Sequence, residues 1–214
     1  MVADVGQILR SILRPLAVAV TFNAMTRLPI LTPENLSPEQ QTVWDGLVDS
    51  RGGSVTRPDG GLAGPFNAWL HAPKIGKAMS RLGGALRFSM STDRRLIELA
   101  IITVGAHWQA EFEWWAHARM ARDHGVSDSI IDAIGNDEEP ELTDPADLAT
   151  YRIARELVTG GRLSDDTHRH AVDALGHQSV VELVSLCGYY TLISFTLNAF
   201  EVELPEGEPE KWPR

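Results

Sequence analysis

The sequence predicts an all-α fold of six to eight helices, and three observations support this prediction. Nearly every segment with a regular apolar pattern has helical periodicity. Capping residues precede these segments, and glycine or proline residues follow them. With 214 residues and 43% apolar content the chain can bury one core, so we expect a single compact domain with tails.

The first predicted helices lie on either side of a glycine-rich loop. A capping box at residues 37–40, with proline at the first helical position, opens a helix that runs towards Ser50. Residues 51–64 contain five of the 18 glycines and are predicted to be a loop that can fold over a site. Pro73 then opens a helix that ends near Phe88.

Three further helices are predicted in the middle of the chain. Thr92 can cap the first, which should end around Gly105 or Ala106 because Gly105 breaks the run there. The second covers residues 110–124 and stops at Gly125, since glycine tolerates the left-handed conformation of a helix C-terminus. Ser127 opens a short third helix, and an acidic loop follows it.

The last predicted helices include a long apolar one. Asp144 starts a helix that two glycines close, and Ser164 caps the next one. A second capping box, formed by Ser179 and Glu182, precedes the nearly continuous apolar run at residues 180–200. This run approaches the length of a membrane span, but its polar side chains would make a lipid-facing helix costly. We therefore expect a fully buried central helix and no membrane partner.

The charge and the cysteine count limit the partners and the compartment. The 29 acidic and 19 basic side chains give a net charge of -10, which disfavours binding to a phosphate backbone, so no nucleic acid partner is expected. The single cysteine, Cys187, leaves no disulfide framework and suits a reducing compartment. It lies in an apolar run, as a core residue would. A cytoplasmic location is the expectation.

The first 24 residues form a separate segment. Two arginines and a short apolar patch give it some features of a targeting segment, but the patch is short and no clean small-residue cleavage site follows. An N-terminal extension upstream of Met25 is the favoured interpretation. The predicted organisation is an extension at residues 1–24, a helical domain at 25–204 and a polar tail at 205–214.

The most informative pattern spans two of the predicted helices. Glu98 is followed by Ala110, Glu113 and His117 at offsets of 12, 15 and 19 residues. Glu113 and His117 share one helix face, where a carboxylate can orient or acidify an imidazole. The spacing resembles the Glu, Cys, Cys, His signature of the carboxymuconolactone decarboxylase and alkyl hydroperoxidase D-like superfamily, with Ala110 and Glu113 at the two cysteine positions. The segments GPFNAWLHAP and NAFEVELPEG are also similar to that family.

The resemblance covers about residues 40–204 and implies a homo-oligomer, a trimer or hexamer, that works without metal or cofactor. Because both motif thiols are absent, it implies the acid/base chemistry of the decarboxylase branch and not thiol peroxidase chemistry. The implied small-molecule substrate is a carboxylated lactone or a related cyclic acid. His117 would donate the proton, with Glu98 and Glu113 setting its tautomer and charge. A non-catalytic binding or structural oligomer is the alternative, and a peroxidase-type antioxidant protein is a third possibility.

Other side chains are weaker candidates, since each also has an ordinary packing or surface role. Residues that could line a flat apolar pocket are Trp69, His107, Trp108, Trp114, Trp115, Tyr190 and Asn198. The arginines that could bind an anionic substrate are Arg57, Arg87, Arg94 and Arg95. A metal site built from His71 and the motif residues is conceivable from the residue types, but only one histidine belongs to the motif, and no metal is expected.

Overall fold

The structure, a computed structural model, describes residues 26–51 and 55–213. In these ranges it contains eight α-helices and a short 3-10 turn at Pro33–Asn35, so the all-α prediction is confirmed. No strand occurs in the described residues, where an isolated bridge joins Thr56 and Leu62 in the glycine-rich loop. The predicted extension at residues 1–24 lies outside the described part.

Several helix ends carry the predicted capping residues. The helices are α1 (Pro38–Arg51), α2 (Phe66–His71), α3 (Pro73–Phe88), α4 (Arg94–His107), α5 (Glu111–Asp123), α6 (Asp128–Gly135), α7 (Pro145–Gly160) and α8 (Asp165–Ala199). The Ser127 hydroxyl caps α6 by accepting a hydrogen bond from the N–H of Ile130, and the Asp144 carboxylate caps α7 in the same way. Gly161 ends α7 with a left-handed φ of 67°.

The start of α4 differs from the prediction. Asp93 caps the helix instead of Thr92, because its carboxylate accepts a hydrogen bond from the N–H of Arg95 at 2.9 Å. The Thr92 hydroxyl donates to the carboxylate of Glu182 at 2.7 Å. Glu182 therefore bonds to the turn before α4, and the predicted capping box with Ser179 is wrong.

The end of α4 also lies further along the chain than expected. Gly105 does not break the helix, which continues to His107. The backbone turns at Gln109, whose φ of 46° is left-handed. A β-carbon built on Gly105 would lie 3.6 Å from Cγ of Glu113, which shows how closely α5 returns against α4.

The longest helix, α8, is bent in the middle. Ser164 caps its start as predicted, by accepting a hydrogen bond from the N–H of Thr167. Gly176 has φ 77° and ψ 161°, and this non-helical residue divides α8 into two segments. Such a combination of angles is essentially restricted to glycine. The two helices predicted from separate caps are thus consecutive segments of one bent element.

One face of the second segment of α8 is exposed, which corrects the expectation of a fully buried helix. The exposed side chains are Val181, Val184, Leu192 and Phe195, with 66%, 38%, 39% and 51% of their surface accessible. Their spacing places them on one helix face, and we call this set the α8 stripe. In the described chain α8 alone is long and apolar enough to cross a membrane, by length and composition only, and half of its most apolar window is buried in the fold.

The core is built around α4, which packs against α5, α7 and α8. Every residue from Leu96 to Gly105 is buried, including the carboxylate of Glu98. A charged group at such a position requires partners, because burial removes its hydration.

The residues that follow α8 return to α5. The N–H of Lys211 donates to a carboxylate oxygen of Glu111 at 2.9 Å, and the Trp212 ring packs edge-on against Trp114 with 5.3 Å between centroids. The described part of the predicted polar tail therefore lies against the helix that carries half of the motif.

Candidate functional site

The acidic and histidine residues of the motif lie together between α4 and α5. Glu98 is in the first half of α4, while Glu113 and His117 stand one turn apart on α5. The turn at Gln109 brings the two helices together, and the exposed fractions of Glu98, Glu113 and His117 are only 0%, 4% and 5%. We call these three residues the carboxylate–histidine triad.

The imidazole of His117 lies between two carboxylates. Its Nδ1 is hydrogen-bonded to Oε2 of Glu98 at 2.6 Å. Its Nε2 is 3.0 Å from Oε1 of Glu113, an ion-pair distance. That oxygen has no aligned hydrogen-bond donor among the described residues. The Nδ1 side is therefore fixed, and the Nε2 side is held mainly by charge.

Arg94 completes the contacts of Glu98. Its guanidinium lies 2.8 Å from Oε1 of Glu98, one helical turn away, and also donates to the backbone carbonyl of Arg87 at 3.0 Å. Both carboxylate oxygens of Glu98 thus face a cationic side chain. This double contact fixes the orientation of the group that positions His117.

The surroundings of His117 favour its protonated form. Burial alone lowers the pKa of His117, but the charge of Glu113 and the hydrogen bond to Glu98 outweigh burial and raise the pKa to about 9. For Glu98, burial raises the pKa, but the hydrogen bond from His117 and the nearby charges hold the pKa below its ordinary value. His117 is therefore an imidazolium at neutral pH, and Glu98 is a carboxylate.

Tyr190 of α8 contacts the triad from a third helix. Its ring lies edge-on to His117 with 5.2 Å between centroids, and it is 4% exposed. Burial raises the pKa of Tyr190 well above its ordinary value, and the charge of Glu113 adds to this effect, so the phenol is neutral. The sequence pattern singles out Tyr190 only weakly, because the contact depends on how α8 crosses α5.

Three of the four predicted pocket tryptophans lie against different partners. Trp69 packs edge-on against Phe66 at 5.1 Å within the core. Trp108 packs against Phe195 of the α8 stripe at 4.7 Å. Trp114 contacts Trp212, as described above. Their roles in substrate binding stay predictions.

The polar pocket candidates both contact Trp108. The side-chain amide of Asn198 donates to the backbone carbonyl of Trp108 at 2.7 Å, which ties the end of α8 to the turn after α4. The ring of His107 lies edge-on to the Trp108 ring at 4.7 Å. Both residues thus have a structural role at this turn, and their part in substrate binding also stays a prediction.

The remaining candidates lie apart from the triad. Glu111, the other acid in the first turn of α5, bonds to the tail, so Glu113 is the acid beside His117, as helical spacing indicates. His71 faces the carbonyl of Pro29 at 2.9 Å. Cys187 is buried, and burial raises its pKa to about 12, so its thiol is unreactive at neutral pH.

Ala110 is fully buried at the N-cap of α5, where one of the family cysteines would stand. Among the described residues no group of three or more His, Cys, Asp or Glu side chains has the arrangement of a metal site.

A cavity of about 340 Å³ opens elsewhere in the molecule, between α7 and the first segment of α8. Its lining residues are Pro145, Leu148, Ala149, Arg152, Thr167, His170, Asp173 and Ala174. None of them belongs to the triad. The ionisable cluster and this cavity are therefore separate features of the fold.

Comparison with known proteins supports the resemblance seen in the sequence. Residues 73–156, from the start of α3 into α7, match the model of the carboxymuconolactone decarboxylase family. Together with the all-α fold, this match supports the resemblance to the carboxymuconolactone decarboxylase and alkyl hydroperoxidase D-like superfamily. No protein of curated function matches the chain in sequence.

Several solved structures share the fold at low identity. An uncharacterized peroxidase-related protein with an alkylhydroperoxidase AhpD core, from Ralstonia eutropha JMP134, has a TM-score of 0.68 and 13% identity, over 85% of this chain and 93% of that one. A peroxidase-related protein from Silicibacter sp. TM1040 has a TM-score of 0.66 and 11% identity, over 86% and 93%. The debrominase Bmp8 has a TM-score of 0.64 and 11% identity, also over 86% and 93%. These identities establish the fold alone.

Proposed function

We propose that the protein is a cofactor-free enzyme that decarboxylates a carboxylated lactone or a related small cyclic acid by acid/base chemistry. The observation that carries this proposal is the position of His117 between two buried carboxylates, which keep the imidazole protonated at neutral pH. A protonated imidazole is a suitable general acid. The debrominase relative has been solved with 2,3,4-tribromopyrrole, so this fold can hold a small unsaturated ring.

The reaction needs an acid at the carbon that loses CO2. As the bond to the carboxylate carbon breaks, its electron pair delocalises into a conjugated carbonyl group of the substrate. His117 then gives the proton on Nε2 to that carbon, and the neutral imidazole regains a proton from solvent. The substrate carboxylate and one proton thus become CO2 and a new C–H bond.

The two glutamates have different parts in this proposal. Glu98 holds Nδ1 through a short hydrogen bond and keeps the ring in one orientation. Glu113 faces Nε2 without an aligned hydrogen bond, so its side chain can turn away when a substrate takes its place. Glu98 thereby positions the acid, and Glu113 tunes its charge.

The test is CO2 release from a panel of carboxylated lactones and cyclic β-keto acids, with the product recovered from D2O. We expect at least one member to release CO2 and to carry deuterium at the former carboxylate carbon. Deuterium added equally to both faces of that carbon would indicate protonation by solvent and would contradict the role of an enzymic acid. Absence of turnover across the panel, with folded protein, would count against the decarboxylase assignment.

A non-catalytic oligomer is the second candidate, and the burial of the triad favours it. Only 5% of the surface of His117 is accessible in a single chain. In this case the triad would be a structural ion cluster, so replacing His117 would change stability but no reaction. A cyclic acid that shifts the His117 resonances in an NMR titration would favour the enzyme.

We also propose that the protein is a homo-oligomer, a trimer or a hexamer. The α8 stripe supports this proposal, because four large apolar side chains on one helix face are costly in water and a second copy could cover them. Light scattering should give an integer multiple of the 23.5 kDa chain mass.

A matched pair of variants tests the role of the stripe. Val184→Glu should lower the mass, whereas His168→Glu, at an exposed position in the first segment of α8, should leave it unchanged. A monomeric wild-type protein at micromolar concentration would refute the proposal.

A further inference from the structure

One arginine beside the triad lacks the carboxylate partner that its neighbours have. The other arginines considered for anion binding each form an ion pair: Arg57 with Asp59, Arg94 with Glu98, and Arg95 with Asp147. Arg87, in the last turn of α3, forms no ion pair in the described part of the chain. Its terminal nitrogen lies 3.9 Å from the sulfur of Met120, and its guanidinium lies 5.7 Å from the centre of the Phe88 ring.

The Nε of Arg87 is an unsatisfied donor. It is buried from solvent and has no hydrogen-bond partner among the described residues. A sulfur atom and the face of an aromatic ring compensate poorly for the lost hydration of a guanidinium, since both are weak acceptors. A group with strong acceptor oxygens, placed against this edge of Arg87, would remove the deficit.

Arg87 is also coupled to the triad. Its backbone carbonyl accepts a hydrogen bond from Arg94, the residue that holds Glu98. Met120, which its guanidinium touches, follows His117 by three residues on α5 and so lies on the same side of that helix. Its charge also acts on Glu98 and on Tyr190, two of the side chains that contact His117.

We propose that Arg87 is the anion-binding residue of the site and that it determines specificity by holding a carboxylate of the substrate. This proposal rests on the proposed function, because it places the substrate beside the Nε2 of His117. The bound carboxylate is the one retained in the product. A cation on the departing carboxylate would stabilise the ground state more than the transition state, in which that charge has moved into the ring.

Substrates of the site therefore carry an acidic group in addition to the carboxylate that is lost. Phe88 and Met120, which flank the guanidinium, provide apolar surfaces against which a flat ring can lie. The guanidinium fork suits a carboxylate because it can donate two parallel hydrogen bonds.

A binding experiment tests Arg87 without requiring turnover. The probe is 2-furoate, a flat cyclic carboxylate, with neutral 2-furamide as its uncharged counterpart, and binding is followed by calorimetry at fixed ionic strength. We expect wild-type protein to prefer 2-furoate, and Arg87→Gln to weaken 2-furoate binding by about tenfold or more, the scale of a lost charge-assisted hydrogen bond. Binding of 2-furamide should be unchanged by this substitution.

Two further variants make the result specific. Arg81→Gln, on the exposed side of the same helix, is the matched control and should bind 2-furoate as the wild type does. Arg87→Lys keeps the charge but not the fork and should fall between the wild type and Arg87→Gln. Thermal melting must show that Arg87→Gln is folded, and the 2-furamide affinity provides a second check.

The outcomes separate this inference from the proposed function. Equal 2-furoate affinity in wild type and Arg87→Gln, or no binding of 2-furoate by the wild type, would overturn the role of Arg87. Loss of 2-furoate binding in Arg87→Gln, combined with absence of CO2 release from the whole panel, would keep the anion site and refute the decarboxylase. When a substrate is found, Arg87→Gln should raise KM for it more than it lowers kcat.

Discussion

The triad and the cavity between α7 and α8 differ in what each could contribute to a reaction. The triad has charge but little space, because its three side chains are at most 5% exposed. The cavity has about 340 Å³ of space, but its lining is mainly apolar and contains none of the motif residues. Shifted pKa values often accompany acid/base chemistry, and two members of the triad, Glu98 and His117, have such values. Under the proposed function, therefore, the chemistry would lie at the triad and not at the cavity.

The largest expected effect is the loss of turnover when His117 is replaced. His117→Ala should lower turnover by about a hundredfold or more, the usual scale for losing a positioned acid. Glu98→Gln should have a similar effect, because Nδ1 would lose the carboxylate that holds the ring. His124→Ala, an exposed position at the end of the same helix, is the control and should retain wild-type rates. If both triad variants turned over an identified substrate at wild-type rates, the active site would lie elsewhere in the molecule.

The second largest expected effect is the loss of stability when Glu98 is replaced. Glu98→Ala removes one partner of a buried ionic cluster and should lower the free energy of unfolding by about 3–5 kcal/mol. Asp128→Ala breaks an exposed pair with Arg122 and should cost about 0–1 kcal/mol. Urea unfolding followed by circular dichroism measures both. Equal losses in the two variants would show that the triad is no more coupled to the fold than a surface ion pair.

The pH dependence of the free energy of unfolding should report the charge of His117. The pKa of His117 is about 9 in the fold and roughly 6.5 in an unfolded chain, so its contribution to stability is fully present below about pH 6.5. That contribution is lost as the pH rises through 9. Urea unfolding between pH 6 and 10 should show this decline in the wild type and a smaller one in His117→Gln. An NMR titration of His117 with a midpoint near the ordinary histidine pKa would contradict this prediction.

A substitution in the cavity should have a much smaller effect on the reaction. Ala174→Phe places a large side chain against the cavity without touching the triad, and turnover should stay within about twofold of the wild type, as for substitutions away from functional features. The turnover of Ala174→Phe is measured with the same activity assay as that of His117→Ala. If this variant lost most of its turnover at an unchanged melting temperature, the substrate would bind in the cavity. The distinction drawn between the triad and the cavity would then be wrong.

The smallest expected signal is peroxidase activity. The motif carries Ala110 and Glu113 where the peroxidase branch has cysteines, and the remaining thiol, Cys187, is buried with a pKa raised to about 12. Turnover of an organic peroxide with a thiol reductant should stay at background, with or without alkylation of the protein. Robust turnover that alkylation abolishes would identify a redox enzyme.

Much of the fold could be predicted from local signals. The bounds of α3 and the caps of α6, α7 and α8 follow from proline, serine and aspartate at the expected positions. The prediction that Thr92 caps α4 is wrong because its hydroxyl has a partner on a distant helix, Glu182, and sequence spacing does not report such a partner. The exposed α8 stripe was missed for a related reason, since an apolar run does not reveal how many of its faces one chain can cover.

The residues of the candidate site also fall into two groups, those that the sequence predicts and those that only the structure reveals. Glu98, Glu113 and His117 follow from a spacing motif, and the structure brings the three side chains together. Tyr190 and Arg87 come from α8 and α3, and only the packing of those helices on α5 selects them from the other tyrosines and arginines. A pattern within one segment could be recognised from the sequence, whereas contacts between distant segments required the structure.

The bond between Glu182 and the turn before α4 affects how the fold would respond to acid. Burial raises the pKa of Glu182, but hydrogen bonds from Ser91 and Thr92 lower it to about 2, well below its ordinary value of 4.5. The stabilisation from this carboxylate is therefore present above about pH 4.5 and is lost only as the pH falls through 2. Acidification would neutralise ordinary surface carboxylates first. The attachment of α8 to the start of α4 would be among the last contacts to come apart.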